Sequence, residues 1–169
     1  MKRTISVLVY NHPGVLSQRS GLFAARSYNI DSLAVGRTED PEISRMTIVV
    51  LGDDKVIDQV CHQLNKLIPV VEVSNYSGET LIQRDLMLVR FDAQAQKRVE
   101  IQAVIEMFEG KVVDFSIDSI MVQVAGVEEK LEAFLETVAD FGIKSVVRTG
   151  TVALPRTNGK STVTNTGIG

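Results

Sequence analysis

The chain has 169 residues, of which 44% are hydrophobic and 23% are charged, and its formal net charge at neutral pH is −3. This composition excludes a disordered or fibrous protein, and a slightly acidic chain without a basic stretch lacks the electrostatic footprint of a nucleic-acid binder. The 24 valines and 13 isoleucines are an excess of β-branched residues, which favours a β-sheet.

The N-terminal region and the single cysteine indicate in which cellular compartment the protein is expected. Cys61 cannot form an internal disulfide, so nothing in the sequence indicates an oxidising environment. The purely apolar runs reach only five or six residues, far fewer than the roughly 20 that cross a bilayer. Asn11, His12 and Pro13 interrupt the first apolar run before it reaches the length of a signal peptide. We therefore expect a cytoplasmic protein with no membrane partner.

Hydrophobic periodicity in the first half predicts the order strand, helix, strand, strand, helix, strand. The first strand, Thr4–Tyr10, places Ile5, Val7 and Val9 on one face because side chains alternate along a strand. The elements that follow are a helix from near Gly14, strands over Ile30–Thr38 and Ser44–Leu51, a helix capped by Asp53 or Asp54, and a short strand over Val70–Val73.

The same order repeats in the second half, which predicts two βαββαβ units. Its elements are a strand over Asp85–Phe91, a helix ended by Gly110, strands over Lys111–Ile117 and Ile120–Ala125, a helix ended by Gly142, and a last strand over Ile143–Leu154. The predicted fold class is α+β, with two ferredoxin-like domains that each carry helices on one face of an antiparallel sheet. We place the first domain at 1–76, a linker at 77–83, the second domain at 84–154 and a tail at 155–169.

The residues that carry chemistry elsewhere form no catalytic or metal-binding pattern. Cys61 and His62 are adjacent on a predicted helix, so they point about 100° apart and are poorly placed as joint metal ligands. The glutamates of the last helix lie on its polar side, where a solvated face is favoured over an acid/base pair. They are Glu128, Glu129, Glu132 and Glu136. We predict no catalytic residue, no metal site and no cofactor of the chain's own.

One segment, Asn11–Ser17, differs from an ordinary connection. It leads into the predicted first helix, where unpaired backbone N–H groups and the helix dipole attract an anion such as a carboxylate. Gly14 lets a ligand approach the main chain, and the Asn11 amide can both donate and accept. Taken alone, this loop is explained better as a simple helix entry, with Pro13 near the first helical position.

The loop gains meaning from its resemblance to a known family. An Asn-x-x-Gly-x-Leu pattern after the first strand of a βαββαβ unit resembles an ACT domain, a small amino-acid-sensing module. More specifically, segments along nearly the whole chain resemble the regulatory (small) subunit of acetohydroxyacid synthase, also called acetolactate synthase. They are Ser6–Val9, Gly21–Phe23, Tyr28–Leu33, Ser44–Thr47, Arg84–Val89 and Gly110–Asp114.

The resemblance implies a partner, an effector and a set of site residues. The partner is the separate catalytic large subunit, which holds the thiamine diphosphate, magnesium and FAD and catalyses the first common step toward valine, leucine and isoleucine. The small subunit activates that enzyme and confers feedback inhibition by valine. The resemblance also implies a homodimer of side-by-side ACT domains with valine at the interface. Asn11, Gly14 and Leu16 of one protomer and Asn29 and Ile30 of the other would bind it, with Val15 adjusting the pocket.

Two other functions stay open at this point. The chain could be a constitutive scaffold for the catalytic subunit that senses nothing, or a stand-alone sensor of another amino acid. The second unit lacks the glycine-containing loop, since Asp92–Gln96 follows its first strand. We therefore predict that the second unit binds no amino acid and contributes to assembly.

Overall fold

The computed structural model describes residues 1–11, 28–66, 70–92 and 95–157. The chain forms two compact units: unit 1 contains Met1–Ile82 together with the segment from Thr151 onward, and unit 2 is Gln83–Gly150. The predicted bounds of the domains, the linker and the tail stay predictions. In the described part of the chain, no helix is both long enough and apolar enough to span a membrane.

Unit 1 is built on a four-stranded antiparallel sheet with the strand order β2-β3-β1-β4. Its elements are β1 (Lys2–Tyr10), β2 (Asn29–Arg37), β3 (Ile43–Leu51), α1 (Asp54–Asn65) and β4 (Val70–Asn75). Each end of these four strands lies within two residues of its predicted position. The predicted first helix falls within residues 12–27 and lies outside the described residues.

The shared face predicted for Ile5, Val7 and Val9 is confirmed, because all three belong to one cluster of buried core residues. Ile5 and Val7 are fully buried, and they share a core cluster with Ile57 and Leu64 of α1. The helix begins where predicted, because the Asp53 carboxylate accepts a hydrogen bond from the backbone N–H of Val56 at 2.9 Å. Such a cap satisfies a donor that the first helical turn leaves unpaired.

Unit 2 repeats the arrangement, with the sheet order β6-β7-β5-β8. Its elements are β5 (Leu81–Asp92, which starts in unit 1), α2 (Arg98–Met107), β6 (Lys111–Phe115), β7 (Ser119–Gly126), α3 (Glu128–Val138) and β8 (Ile143–Arg148). Short 3₁₀ turns, Ala95–Lys97 and Ala139–Phe141, precede α2 and follow α3. Both orders are those of ferredoxin-like βαββαβ units, which confirms the predicted fold class.

The prediction of one last strand over Ile143–Leu154 is wrong. The chain forms β8 and then a separate strand, β9 (Val152–Pro155), which pairs with β5. Gly150 lies between them with φ of +83°, a left-handed conformation that interrupts an extended strand. Beyond this break the chain belongs to unit 1, where the backbone N–H of Arg156 donates to the carbonyl of Thr80.

The face of the unit 1 sheet opposite α1 carries small, mostly polar side chains that are buried within the chain. Ser6 is 1% exposed and Thr47, its partner across β1 and β3, is 3% exposed. Arg45 lies on the same face and donates to the Ser6 hydroxyl at 2.8 Å. Polar side chains therefore interrupt the apolar surface of this face.

Candidate functional site

The structure describes three of the six predicted effector-site residues, namely Asn11, Asn29 and Ile30. Gly14, Val15 and Leu16 lie outside the described residues, so their predicted roles stay predictions.

Asn11 directly follows β1 and is held by the loop between β2 and β3. Its backbone N–H donates to the carbonyl of Glu42 at 2.7 Å, and its side-chain Nδ2 donates to the carbonyl of Pro41 at 3.2 Å. The second bond uses one N–H of the amide and leaves the side-chain oxygen to accept from a ligand. The Asn11 side chain is exposed, so a ligand can reach that oxygen.

The supporting loop is itself fixed by several short hydrogen bonds. The Asp40 carboxylate accepts from the backbone N–H of Glu42 at 2.9 Å, while the Thr38 hydroxyl accepts from the backbone N–H of Asp40 at 3.1 Å. The sequence predicts this segment only as the connection between two strands, and its role in orienting Asn11 was not foreseen. The available signal was an Asp in a short turn, a residue that often bonds the backbone two positions later.

Asn29 and Ile30 open β2, an edge strand of the unit 1 sheet. Asn29 pairs with Leu51 and is exposed, whereas Ile30 pairs with Val50 and packs against the unit 1 core. A β-bulge follows, because Ser32 already pairs with Val49 and Asp31 has no partner position on β3. The carboxylate of Asp31 forms an ion pair with the Lys2 ammonium at 2.8 Å, which holds the bulge to the start of β1.

The two asparagines lie at opposite ends of the sheet. Asn11 bonds to Glu42 at one end of β3, and Asn29 pairs with Leu51 at the other, nine residues further along. At a rise of about 3.4 Å per residue the two ends are about 30 Å apart. One chain therefore does not bring Asn11 and Asn29 to the same small ligand, and a site that uses both needs two chains.

Cys61 lies in α1 and is partly buried. Burial, with a smaller contribution from the Asp58 carboxylate, raises the pKa of the Cys61 thiol to about 11. The thiol is therefore protonated at neutral pH, and it lacks the thiolate character of an activated nucleophile. Cys61 is packed against the unit 1 core as a partly buried side chain.

Glu132 of α3 contributes to packing through an ion pair. It bonds to Arg148 of β8, which also contacts the Asp85 carboxylate of β5 at 2.9 Å. Burial alone would lower the pKa of Arg148, but the hydrogen bonds and charges of Glu132 and Asp85 outweigh it and raise that pKa. The guanidinium thus links α3 to two strands of unit 2, a structural role for a helix glutamate.

Two families match the chain along most of its length. Residues 5–72 match the family described as the AHAS small subunit-like ACT domain, and residues 84–157 match the one described as the small subunit of acetolactate synthase. The two matched segments coincide with the two repeats that hydrophobic periodicity indicates.

Individual relatives agree with these matches. The chain is 49% identical over 160 residues to the probable acetolactate synthase small subunit of Archaeoglobus fulgidus, a match that covers 95% of this chain and 100% of that protein. It is 43% identical to the acetolactate synthase small subunit of Bacillus subtilis, with 92% and 91% covered. The crystal structure of the acetolactate synthase small subunit of Thermotoga maritima has a TM-score of 0.87 at 36% identity and covers 94% of this chain and 99% of that one. The chain therefore belongs to the acetolactate synthase small-subunit family.

Proposed function

We propose that this protein activates the separate catalytic subunit of acetolactate synthase and makes that enzyme sensitive to feedback inhibition by valine, in the cytoplasm. Membership of the small-subunit family implies a catalytic partner. In this proposal the chain contributes no catalytic residue and no metal. The thiamine diphosphate, magnesium and FAD belong to the catalytic subunit, and the chain acts only by binding its partner and the effector.

The observation that carries the proposal is the position of Asn11 and Asn29 at opposite ends of the sheet. Strand β2 is an edge strand, and the edge of a sheet offers unpaired N–H and C=O groups to a second strand. Antiparallel pairing of two β2 strands across a two-fold axis reverses one copy. In this pairing, the start of β2 in the partner copy, which carries Asn29, lies at the same end of the sheet as Asn11 of the first copy.

The chemistry of the residues fits an amino acid at such an interface. The unpaired amides that the sequence predicts near Gly14, Val15 and Leu16 suit a carboxylate. The Asn11 oxygen, left free by the bond to Pro41, suits the ammonium group, and Asn29 of the partner copy adds a second amide. Leu16 and the exposed part of Ile30 supply an apolar surface for a branched side chain.

The test is a valine titration of acetolactate formation by the reconstituted pair of subunits. We expect the small subunit to raise the activity and valine to lower it again. Gly14→Asp places a carboxylate where the effector carboxylate would bind, so it should abolish valine inhibition while activation persists. Gln59→Glu adds the same charge on the exposed side of α1 and is the matched control.

Each alternative predicts a different result. Activation that valine does not alter would support a constitutive scaffold. Absence of activation, together with a thermal shift caused by another amino acid, would support a stand-alone sensor. Equal valine affinity of the wild type and Gly14→Asp in calorimetry would contradict the proposed site.

A further inference from the structure

The bulge in β2 sends two nearby side chains to opposite faces of the sheet. In a regular strand, residues two apart share a face. Here Ile30 pairs with Val50 and packs on the core side, whereas Ser32 pairs with Val49 and lies on the opposite side, because Asp31 is the extra residue. A group that contacts Asn29 and Ile30 therefore acts on the same bulge that sets the direction of Ser32.

Ser32 makes a hydrogen bond to a residue 119 positions away. Its hydroxyl oxygen accepts from the backbone N–H of Thr151 at 2.8 Å, and both residues are partly buried. Thr151 is the first residue of the segment that belongs to unit 1 after the chain leaves unit 2. The position of this segment is thus tied by one bond to the bulge of β2.

The chain just before Thr151 is anchored within unit 2. The Asp85 carboxylate, which is 4% exposed, accepts from Nε of Arg148 and from the hydroxyl of Thr149, each at 2.9 Å. The backbone N–H of Thr149 also donates to the carbonyl of Leu86 at 3.0 Å. Only Gly150, with φ of +83°, stands between the last residue held in unit 2 and the first held in unit 1.

We propose that Ser32 is a coupling residue, which transmits occupancy of the effector site at Asn29 and Ile30 to Thr151 and hence to the end of unit 2, which Thr151 directly follows. This inference rests on the proposed function. An effector that fixes the start of β2 also fixes the bulge, and the Ser32 hydroxyl then holds the Thr151 N–H in one place. The coupling is a difference in hydrogen-bond strength between the free and the bound states.

The experiment uses the full chain with its catalytic subunit and two readouts. Ser32→Ala removes the acceptor, Ser32→Thr keeps a hydroxyl, and Ser44→Ala removes a buried serine hydroxyl from the neighbouring strand as a control. We expect Ser32→Ala to keep its valine Kd within about threefold of the wild type while losing most of the inhibition at saturating valine. Ser32→Thr and Ser44→Ala should both retain the inhibition by saturating valine.

Amide hydrogen exchange gives a second, direct readout. In the wild type, valine should slow exchange in the peptide that contains Thr151, and Ser32→Ala should abolish this effect while Ser32→Thr retains it. If valine leaves the exchange of Thr151 unchanged in the wild type, or if Ser32→Ala is inhibited like the wild type, the coupling inference is wrong. If valine does not bind the wild type at all, the proposed function fails as well, so the two failures are distinguishable.

Discussion

Asn11 and Asn29 are anchored at opposite ends of β3, Asn11 through Glu42 and Asn29 through Leu51. A site that needs both must combine one residue from each of two copies, so it predicts complementation between single variants. Asn11→Ala and Asn29→Ala should each bind valine about 10 to 100 times more weakly, the loss expected for a hydrogen bond to a charged group. A mixed dimer of the two variants should regain one intact site, because each copy supplies the asparagine that the other lacks.

The complementation is measured by calorimetry after the two variants are unfolded and refolded together. Random pairing of equal amounts should restore about a quarter of the wild-type sites, at wild-type affinity. The matched control is Asn65→Ala, at the exposed end of α1, which should bind like the wild type in every mixture. Mixtures with no tight sites would show that the two residues do not share an interface site.

Asp85 should be important for the stability of unit 2. Its buried carboxylate accepts hydrogen bonds from Arg148 and Thr149. Asp85→Asn weakens these bonds and removes the negative charge that balances the Arg148 guanidinium. We expect a loss of about 2 kcal/mol in the free energy of unfolding, measured with urea. Asp118→Asn, an exposed aspartate of the same unit, should change it by less than about 0.5 kcal/mol. Equal effects of the two variants would contradict the role of Asp85.

Cys61 should react slowly with a thiol reagent while the chain is folded. With a pKa of about 11 instead of 9.0, the thiolate fraction at pH 8 falls by about 100-fold, and the reaction rate falls with it. Asp58→Asn removes the second cause of the shift and should raise the folded-state rate, whereas the exposed Gln59→Ala on the same helix should not. The reaction rate of Cys61 is measured as the increase in absorbance with a chromogenic disulfide. Guanidinium gives the rate of the unfolded chain for comparison. Rapid labelling of the folded chain would contradict the burial of Cys61.

Glu109 should titrate at a lower pH in the folded protein than in a peptide. The hydrogen bond from Lys130, together with its charge, lowers the pKa of the exposed Glu109 carboxylate. A lowered folded-state pKa means that this pair stabilises the fold above the unfolded-state pKa of the carboxylate and that the contribution is lost as the pH falls through the folded-state pKa. Lys130→Gln should move the carbon NMR titration midpoint of Glu109 upward, and Lys97→Gln should leave it in place.

Local patterns predicted most of the fold, because strands and helices with one buried face repeat at fixed periods. Ile5 and Val7 are buried as the alternation indicates, and Asp53 caps its helix as expected. The prediction missed the break between β8 and β9, because it joined the apolar stretches on the two sides of Gly150, Val146–Val147 and Val152–Leu154, into one strand. The pairing of β9 with β5 depends on residues far away in the sequence, so no local signal indicates it.

The candidate site was predicted less completely than the fold. The sequence placed Asn11 and Asn29 near element ends, but only the strand pairing shows that these ends are opposite ones. The bulge at Asp31 was likewise not foreseen, since no glycine or proline marks it. Register is a property of two strands together, and here it places Asn11 and Asn29 too far apart for one chain to bring both to one small ligand.

The chain leaves unit 1 after Ile82 and returns to it at Thr151, so unit 1 consists of two stretches that are far apart in the sequence. A fragment cut after residue 82 would lack β9, and with it Ala153, which is 4% exposed in the intact chain. A fragment that ends at residue 82 therefore also lacks residues that belong to unit 1 in the intact chain.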